Sequence, residues 1–419
     1  METETRRRLM DSSSVDHYKT QVWLLYINMC VNSRDCMDIL KYPLVHESRS
    51  QSKIAYMNHI PTECGTAKYT DMETVLRTVI YTMTILLSFK IVLFFGDQQT
   101  INRVLWLIRM NPGQYSCIVP LPGDFHADGN FLMAVHALYY EVFVEGVFRS
   151  AGFCVNSIQA TWGGMELYNR YRHAYETLIV ACMAYLISIV PVDLLQQPAL
   201  LMTAAEGWNP GFALLLHFLF DVGLPWLHFK RSIRCGDYEG RDSFYAMSLD
   251  VFRATGKIHY AILVIDYFLV LCGLVPAILA IWRANCTYSD LGIPNHDGAF
   301  DWANEGLNNR VKTSKPSSPD NINKKITICN ALRAMDKPSR PLLGTDRYES
   351  DDYTRVKQEH VDKIVDVFRM KLGTTFGDVQ RTRSNPFGGT KLPWKSVEAA
   401  GRTRASYIDT QLQTAPFTS

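Results

Sequence analysis

Two aspartates close neighbouring apolar runs, and a glycine precedes each: Asp97 in "KIVLFFGDQQT" (90–100) and Asp124 in "YSCIVPLPGDFH" (115–126). The first run, 90–95, is short, β-branched and aromatic and predicts a buried strand. "TINRVLWLIRM" (100–110) sets Ile101, Val104, Leu105, Leu107 and Ile108 on a helical stripe, and "NPG" (111–113) stops it. "YSCIVPL" (115–121) then predicts a second strand. Strand, helix, strand is a βαβ crossover, whose strands run parallel and side by side. Both aspartates leave the same, carboxyl, end of such a sheet, where ligand sites of open α/β sheets gather. Adjacent strands lie about 4.8 Å apart, and carboxylates that close repel unless cations sit between them. A pair of Mg²⁺ ions about 3.5–4 Å apart matches that spacing and serves in-line phosphoryl displacement, so the expected chemistry is on phosphodiesters. The plainer alternative makes each Gly-Asp a turn and helix N-cap, with Asp97 three residues before Thr100.

A third carboxylate is offered by "AFDWANEGLNNRVKT" (299–313). Asp301, Glu305, Asn308 and Lys312 form one polar stripe of a helix, while Phe300, Ala303, Leu307 and Val311 form an apolar stripe that can dock on a sheet. Glu305 is thereby the candidate third metal ligand. A solvated face explains the same stripe, with Asp301 and Glu305 as acids in a first turn. Just past Glu305 stand Arg310, Lys312, Lys315, Lys324 and Lys325, a local basic cluster suited to nucleic-acid contacts or equally to a solvated linker.

The combination of "GDQQT…R" (Gly96, Asp97, Thr100, Arg103), "PLPGDFH" (120–126), "TGKIHYA" (255–261) and "DWANEGLNNRVK" (301–312) resembles an uncharacterised eukaryotic domain family that looks like the catalytic core of DDE transposases. That family's pattern runs GDQ-x-T, then P-x-x-G/E-D-W/F-H, then after a helical stretch G-K-x-x-Y, and finally D-x-x-x-E-x-L-N-R-x-x-K. The resemblance covers roughly 71–385, and the order and spacing of the motifs carry it. It implies an α/β, RNase H-like core, a mixed sheet with helices, interrupted by a large all-α insertion. It also implies metal-dependent DNA cleavage and strand transfer, with Asp97, Asp124 and Glu305 as catalytic metal ligands for Mg²⁺ or Mn²⁺, and DNA, through Arg310 and Lys312, as partner. The late motif departs from the pattern, reading "EGLNNR" where the family has "EHLNR". No upstream "D-N" strand end is present either: Asp16, Asp35, Asp38 and Asp71 follow no clear strand. Either Asp97 is the first ligand and Asp124 the second, or the first is lost and the chain is catalytically dead. A transposon-derived, degenerate protein is therefore expected. The alternatives are a non-catalytic helical binding or scaffold protein and a multi-span membrane protein.

These elements need a chain able to position them, and 419 residues suffice for a sizeable core. The organisation expected is an N-terminal region of unclear role (1–70), an α/β segment (71–126), a helical insertion (127–290), an acidic-helix segment (291–340) and a polar, partly disordered C-terminal region (341–419), with an amphipathic helix at 361–372. A net charge of +2 gives no general field for polyanions, so a nucleic-acid surface must be local. Ten cysteines with no C-x-x-C pair point to reduced thiols, and "METETRRRLMDSSS" lacks the apolar core of a signal peptide. An intracellular setting, the nucleus included, is expected, without secretion and without a small-molecule cofactor. The apolar stretches 79–95 and 260–282 approach the roughly 20 residues a bilayer demands. Each carries an internal charge, Lys90 or Asp266, costing roughly 2.5–3.5 kcal/mol on the insertion scale, so core elements are expected over membrane spans. Cys117 with His126 is a weak metal pair, and His136, His173, His217 and His259 read as core or boundary residues. P-loop, G-x-S-x-G and H-E-x-x-H signatures are absent from the sequence.

Overall fold

The computed structural model describes residues 2–40, 68–86, 90–153, 168–284, 286–287, 298–299, 301, 356–380, 385–389 and 391–414. Glu305, Arg310, Lys312, the other lysines of the basic cluster and the helix expected at 326–335 lie outside the described residues. So does the body of the helix expected at 299–313.

The chain is mostly α-helical with a small two-stranded parallel sheet among the described residues. It opens with α1 (Glu2–Met10) and α2 (Ser12–Ser33). Asp11 caps α2 by accepting from the Ser14 N–H, and Arg34, in the left-handed region at φ 60°, ends it. The buried face of α2 is one stripe, Val15, Tyr18, Val22, Trp23, Tyr26, Ile27 and Cys30, and half-buried Leu24, Leu25, Met29 and Val31 beside it blur the periodicity in sequence. The Trp23 indole N–H finds the Leu195 carbonyl at 2.7 Å, as a buried indole must find an acceptor.

After α3 (Tyr69–Ile80) comes the βαβ unit: β1 (Val92–Gly96), α4 (Gln98–Met110) and β2 (Ile118–Pro122). The strands pair in parallel from Val92 opposite Ile118 to Gly96 opposite Pro122. The Val92 N–H bonds the Cys117 carbonyl and the Gly123 N–H bonds the Gly96 carbonyl, each at 2.8 Å. Alternation therefore turns the odd-numbered residues of β2 toward β1. Pro120 and Pro122 fall at the other positions, where they remove N–H donors from the opposite edge. Growth of the sheet beyond β2 is thus opposed by sequence, and α4 closes one face with Ile101, Val104, Leu105 and Leu107 buried. Met72, Leu76, Val92, Val104, Leu107 and Tyr115 form a small core on this side.

Further helices contribute to the main core: α5 (Asp124–Ser150), α6 (Tyr168–Ile189), α7 (Pro198–Trp208), α8 (Pro210–Cys235), α9 (Tyr238–Ala254), α10 (Ile258–Gly273) and α11 (Pro276–Ala284). Among the described residues α5 and α8 are long and apolar enough to cross a membrane, but they are 67% and 89% buried inside the fold. Each contains a π-helical turn, Tyr140–Val144 and Phe218–Gly223. The stretches weighed as spans from sequence do not form single helices. The described residues of 79–95 divide between the end of α3, a π turn and β1, and 260–282 break before Pro276.

The C-terminal part differs from the disorder expected beyond Gly373. Following α12 (Gln358–Leu372) and a turn at Phe376–Val379, the chain forms α13 (Pro393–Arg402) and α14 (Arg404–Thr414). Its apolar residues are sparse, yet Phe387, Trp394, Ile408 and Leu412 are all buried in the main core. Arg404 fixes the join, donating to the Ala246 carbonyl and the Asp250 carboxylate at 2.7 Å each and to the Leu9 carbonyl.

Candidate functional site at the strand ends

The two Gly-Asp pairs stand where sequence places them, at the carboxyl end of β1 and β2, but their side chains do different work. Asp97 is the N-cap of α4, its carboxylate accepting the Thr100 N–H at 2.7 Å. Gly96 is small because Thr100 closes over it: a Cβ there would sit 2.8 Å from the threonine methyl. Asp124 begins α5 and turns inward, only 3% exposed. Both of its oxygens lie 2.8 Å from the Arg241 Nε–H, and one also accepts the Tyr245 hydroxyl at 2.8 Å. Burial pushes this carboxyl up, and the Arg241 guanidinium opposes it.

Arg241 is fully buried and caged by aromatic rings. Its guanidinium lies 4.6 Å from the Trp282 ring centroid and 5.2 Å from those of Tyr245 and Tyr267. Nη1 donates to the Tyr267 hydroxyl at 2.7 Å, and that hydroxyl donates to Asp242. The sequence signal for this partner was slight: Arg241 and Tyr245 stand one helical turn apart in "YEGRDSFY", on the same face of α9.

Asp301, read from sequence as a first-turn acid, proves to be the cap of another helix. It accepts the Phe125 N–H at 3.0 Å and the His126 N–H at 2.9 Å, and it meets His126 Nδ1 at 2.9 Å. These are unpaired donors of the first turn of α5, satisfied from 175 residues away in the case of His126. The second glycine is explained by the same contact, since a Cβ on Gly123 would lie 2.2 Å from the Asp301 carboxylate.

The G-K-x-x-Y element arrives at the same place. Lys257 donates to the Asn130 side-chain carbonyl at 3.2 Å, and the Asn130 amide donates to the His126 carbonyl at 2.9 Å and to the Tyr260 hydroxyl at 2.6 Å. Burial pulls the Lys257 amine down. Burial, and then the charges of Asp97 and Asp301, push the Tyr260 hydroxyl up. Four segments distant in sequence thus converge on one polar patch, through Asp97, His126, Asn130, Lys257, Tyr260 and Asp301.

The expected Mg²⁺ or Mn²⁺ is overturned by this arrangement. Among the described residues no group of three or more His, Cys, Asp or Glu is placed to hold a metal ion. The reason is local: Asp124 is held by Arg241 and Tyr245, Asp97 is bonded to the α4 backbone, and Asp301 to the α5 backbone and His126. Cys117 and His126 stand at opposite ends of β2. His136 bonds the Tyr175 hydroxyl at 3.0 Å within the core, His217 meets Asp221 at 2.8 Å and Glu206 at 3.1 Å, and His259 is exposed.

A second buried polar group joins α5, α6 and α8. Asp128 accepts from the Tyr168 hydroxyl and the Trp226 indole, while Lys230 and Arg172 both bind Glu176. Burial opposes ionisation of Glu176, but Arg172 and Lys230 hold it well below the usual carboxylate range. Compared with protein-family models, curated proteins and solved structures, the chain matches none.

Proposed function

We propose that this is a non-catalytic helical binding or scaffold protein, a transposon-derived chain whose strand-end region resembles a DDE transposase core of RNase H-like fold. The observation that carries the reading is Asp124: the carboxylate best placed for chemistry at the strand ends is buried and held by Arg241 and Tyr245. Loss of one partner from such a pair is costly, so the arrangement favours structure over ligand exchange. Asp97 in its capping role points the same way. The neighbouring amine of Lys257 and hydroxyl of Tyr260 suit a polar partner held without bond cleavage. DNA is the partner class that the family resemblance implies, and an intracellular, nuclear setting follows from that partner.

The test uses the full-length protein and end-labelled duplex and single-stranded DNA, with electrophoretic shift and cleavage followed together. The expected result is a shift unchanged between EDTA and Mn²⁺ and no cleaved product in either. Divalent-dependent cleavage that disappears in Asp97→Asn would overturn the proposal. Absence of any shift would remove DNA as the partner and leave a protein scaffold as the reading.

A further inference from the structure

At the far end of α2 from its cap, two thiols share a cavity of about 410 Å³. Its volume falls within the roughly 300–1,000 Å³ of small-molecule pockets. Cys30 lies in the last turns of α2 and is buried, whereas Cys36, which opens the 3₁₀ turn Cys36–Leu40, is partly exposed. The left-handed residue Arg34 turns the chain between them, and both thiol residues line the same cavity. The neighbouring Cys30 thiol holds the partly exposed Cys36 thiol below its ordinary value, while that neighbour pair and burial push Cys30 up. One sulfur is therefore the better nucleophile and the other a reserve beside it. Ala184 and Val361 contribute apolar wall, and Arg34 brings a guanidinium to the lining.

We propose that Cys30 and Cys36 form a thiol–disulfide exchange site for small disulfides of the glutathione class, with Arg34 facing a carboxylate of the incoming molecule. The Cys36 thiolate attacks one sulfur of oxidised glutathione. The glutathione S–S bond breaks, one glutathione leaves as a thiolate, and Cys36 carries the mixed disulfide. Cys30, giving up its proton, attacks the Cys36 sulfur and expels the second glutathione. Two protein thiols are oxidised to one disulfide, one small disulfide is reduced to two thiols, and the two released protons end on the departing glutathiones. Cys30 and Cys36 stand six residues apart around the Arg34 turn and line one cavity, so closure is a local change at the end of α2.

The experiment incubates the full-length protein with oxidised glutathione, alkylates the remaining thiols and maps peptides by mass. The expected wild-type result is loss of alkylation at Cys30 and Cys36 together, with the peptide carrying them lighter by two hydrogens. Cys30→Ser should trap one glutathionyl group on Cys36, and Cys36→Ser should leave Cys30 alkylated. Partly exposed Cys117 and Cys272 serve as internal controls. The proposal is overturned if wild-type Cys30 and Cys36 stay fully alkylated after the controls have taken up glutathione. It is equally overturned if Cys36 in the wild type keeps a stable adduct that Cys30 never resolves. The wild-type map decides the matter even where a serine variant fails to fold.

Discussion

Arg241 and Asp124 are the pair on which the strand-end site turns. With the guanidinium gone, the carboxylate is left buried and uncompensated, and breaking such a pair costs roughly 3–5 kcal/mol. Urea denaturation of Arg241→Met should therefore show a loss of about that size, and adding Asp124→Asn should restore part of it. A loss under about 1 kcal/mol would mean the pair does not hold the site together. A second residue gives a pH signature. His228 packs against the rings of Tyr18 and Tyr26, and burial pulls its imidazole down from the ordinary 6.5 to about 4. The unfolded chain takes up this proton near pH 6.5 while the folded chain resists until about 4, so stability falls as pH drops through that window. At 1.36 kcal/mol per pH unit the contribution is roughly 3 kcal/mol. His228→Gln should flatten that part of the stability curve, measured as urea midpoints from pH 4 to pH 7.

Helix capping separates what Asp97 does from what its charge could do. Asp97→Asn keeps an acceptor for the Thr100 N–H and should be nearly neutral, whereas Asp97→Ala should lose about 1 kcal/mol. Equal losses in both would show that charge rather than capping matters at this position. The βαβ unit was legible in the sequence because its signals are local: short apolar runs, one helical stripe and the "NPG" stop all fall within 90–122. Other parts were not legible, for two reasons. A buried stripe flanked by further apolar residues, as in α2 with Leu24 and Leu25, is blurred in sequence. The partners that decide the site are remote, with Arg241 standing 117 residues from Asp124. The prolines of β2 act through register: both stand where an N–H would face away from β1, so they limit the sheet to a parallel pair. Gly123 is equally contextual: Gly123→Ala should destabilise the protein by more than the usual surface substitution, because its methyl would overlap Asp301.

At the level of the whole molecule, polar contacts tie the chain's two ends to its middle. Lys19 and His217 both bind Asp221, Glu206 bridges His217 to Lys395, and the Trp394 ring stacks on His217 at 4.3 Å. Residues 391–414 therefore act as part of the core rather than as a tail. Deleting 391–419 should expose apolar surface, read as increased binding of a hydrophobic dye and loss of a cooperative thermal transition. A truncated protein that melts as sharply as the full chain would contradict this view. The Arg404 guanidinium meets the Leu9 carbonyl across a separation of 395 residues. At about 5–20 residues per second, a ribosome takes roughly 20–80 s to supply that distance. The α1 helix must wait on the nascent chain for a partner made 395 residues later. Until Arg404 emerges, Leu9, buried in the finished core, stays open to chaperones that bind emerging chains.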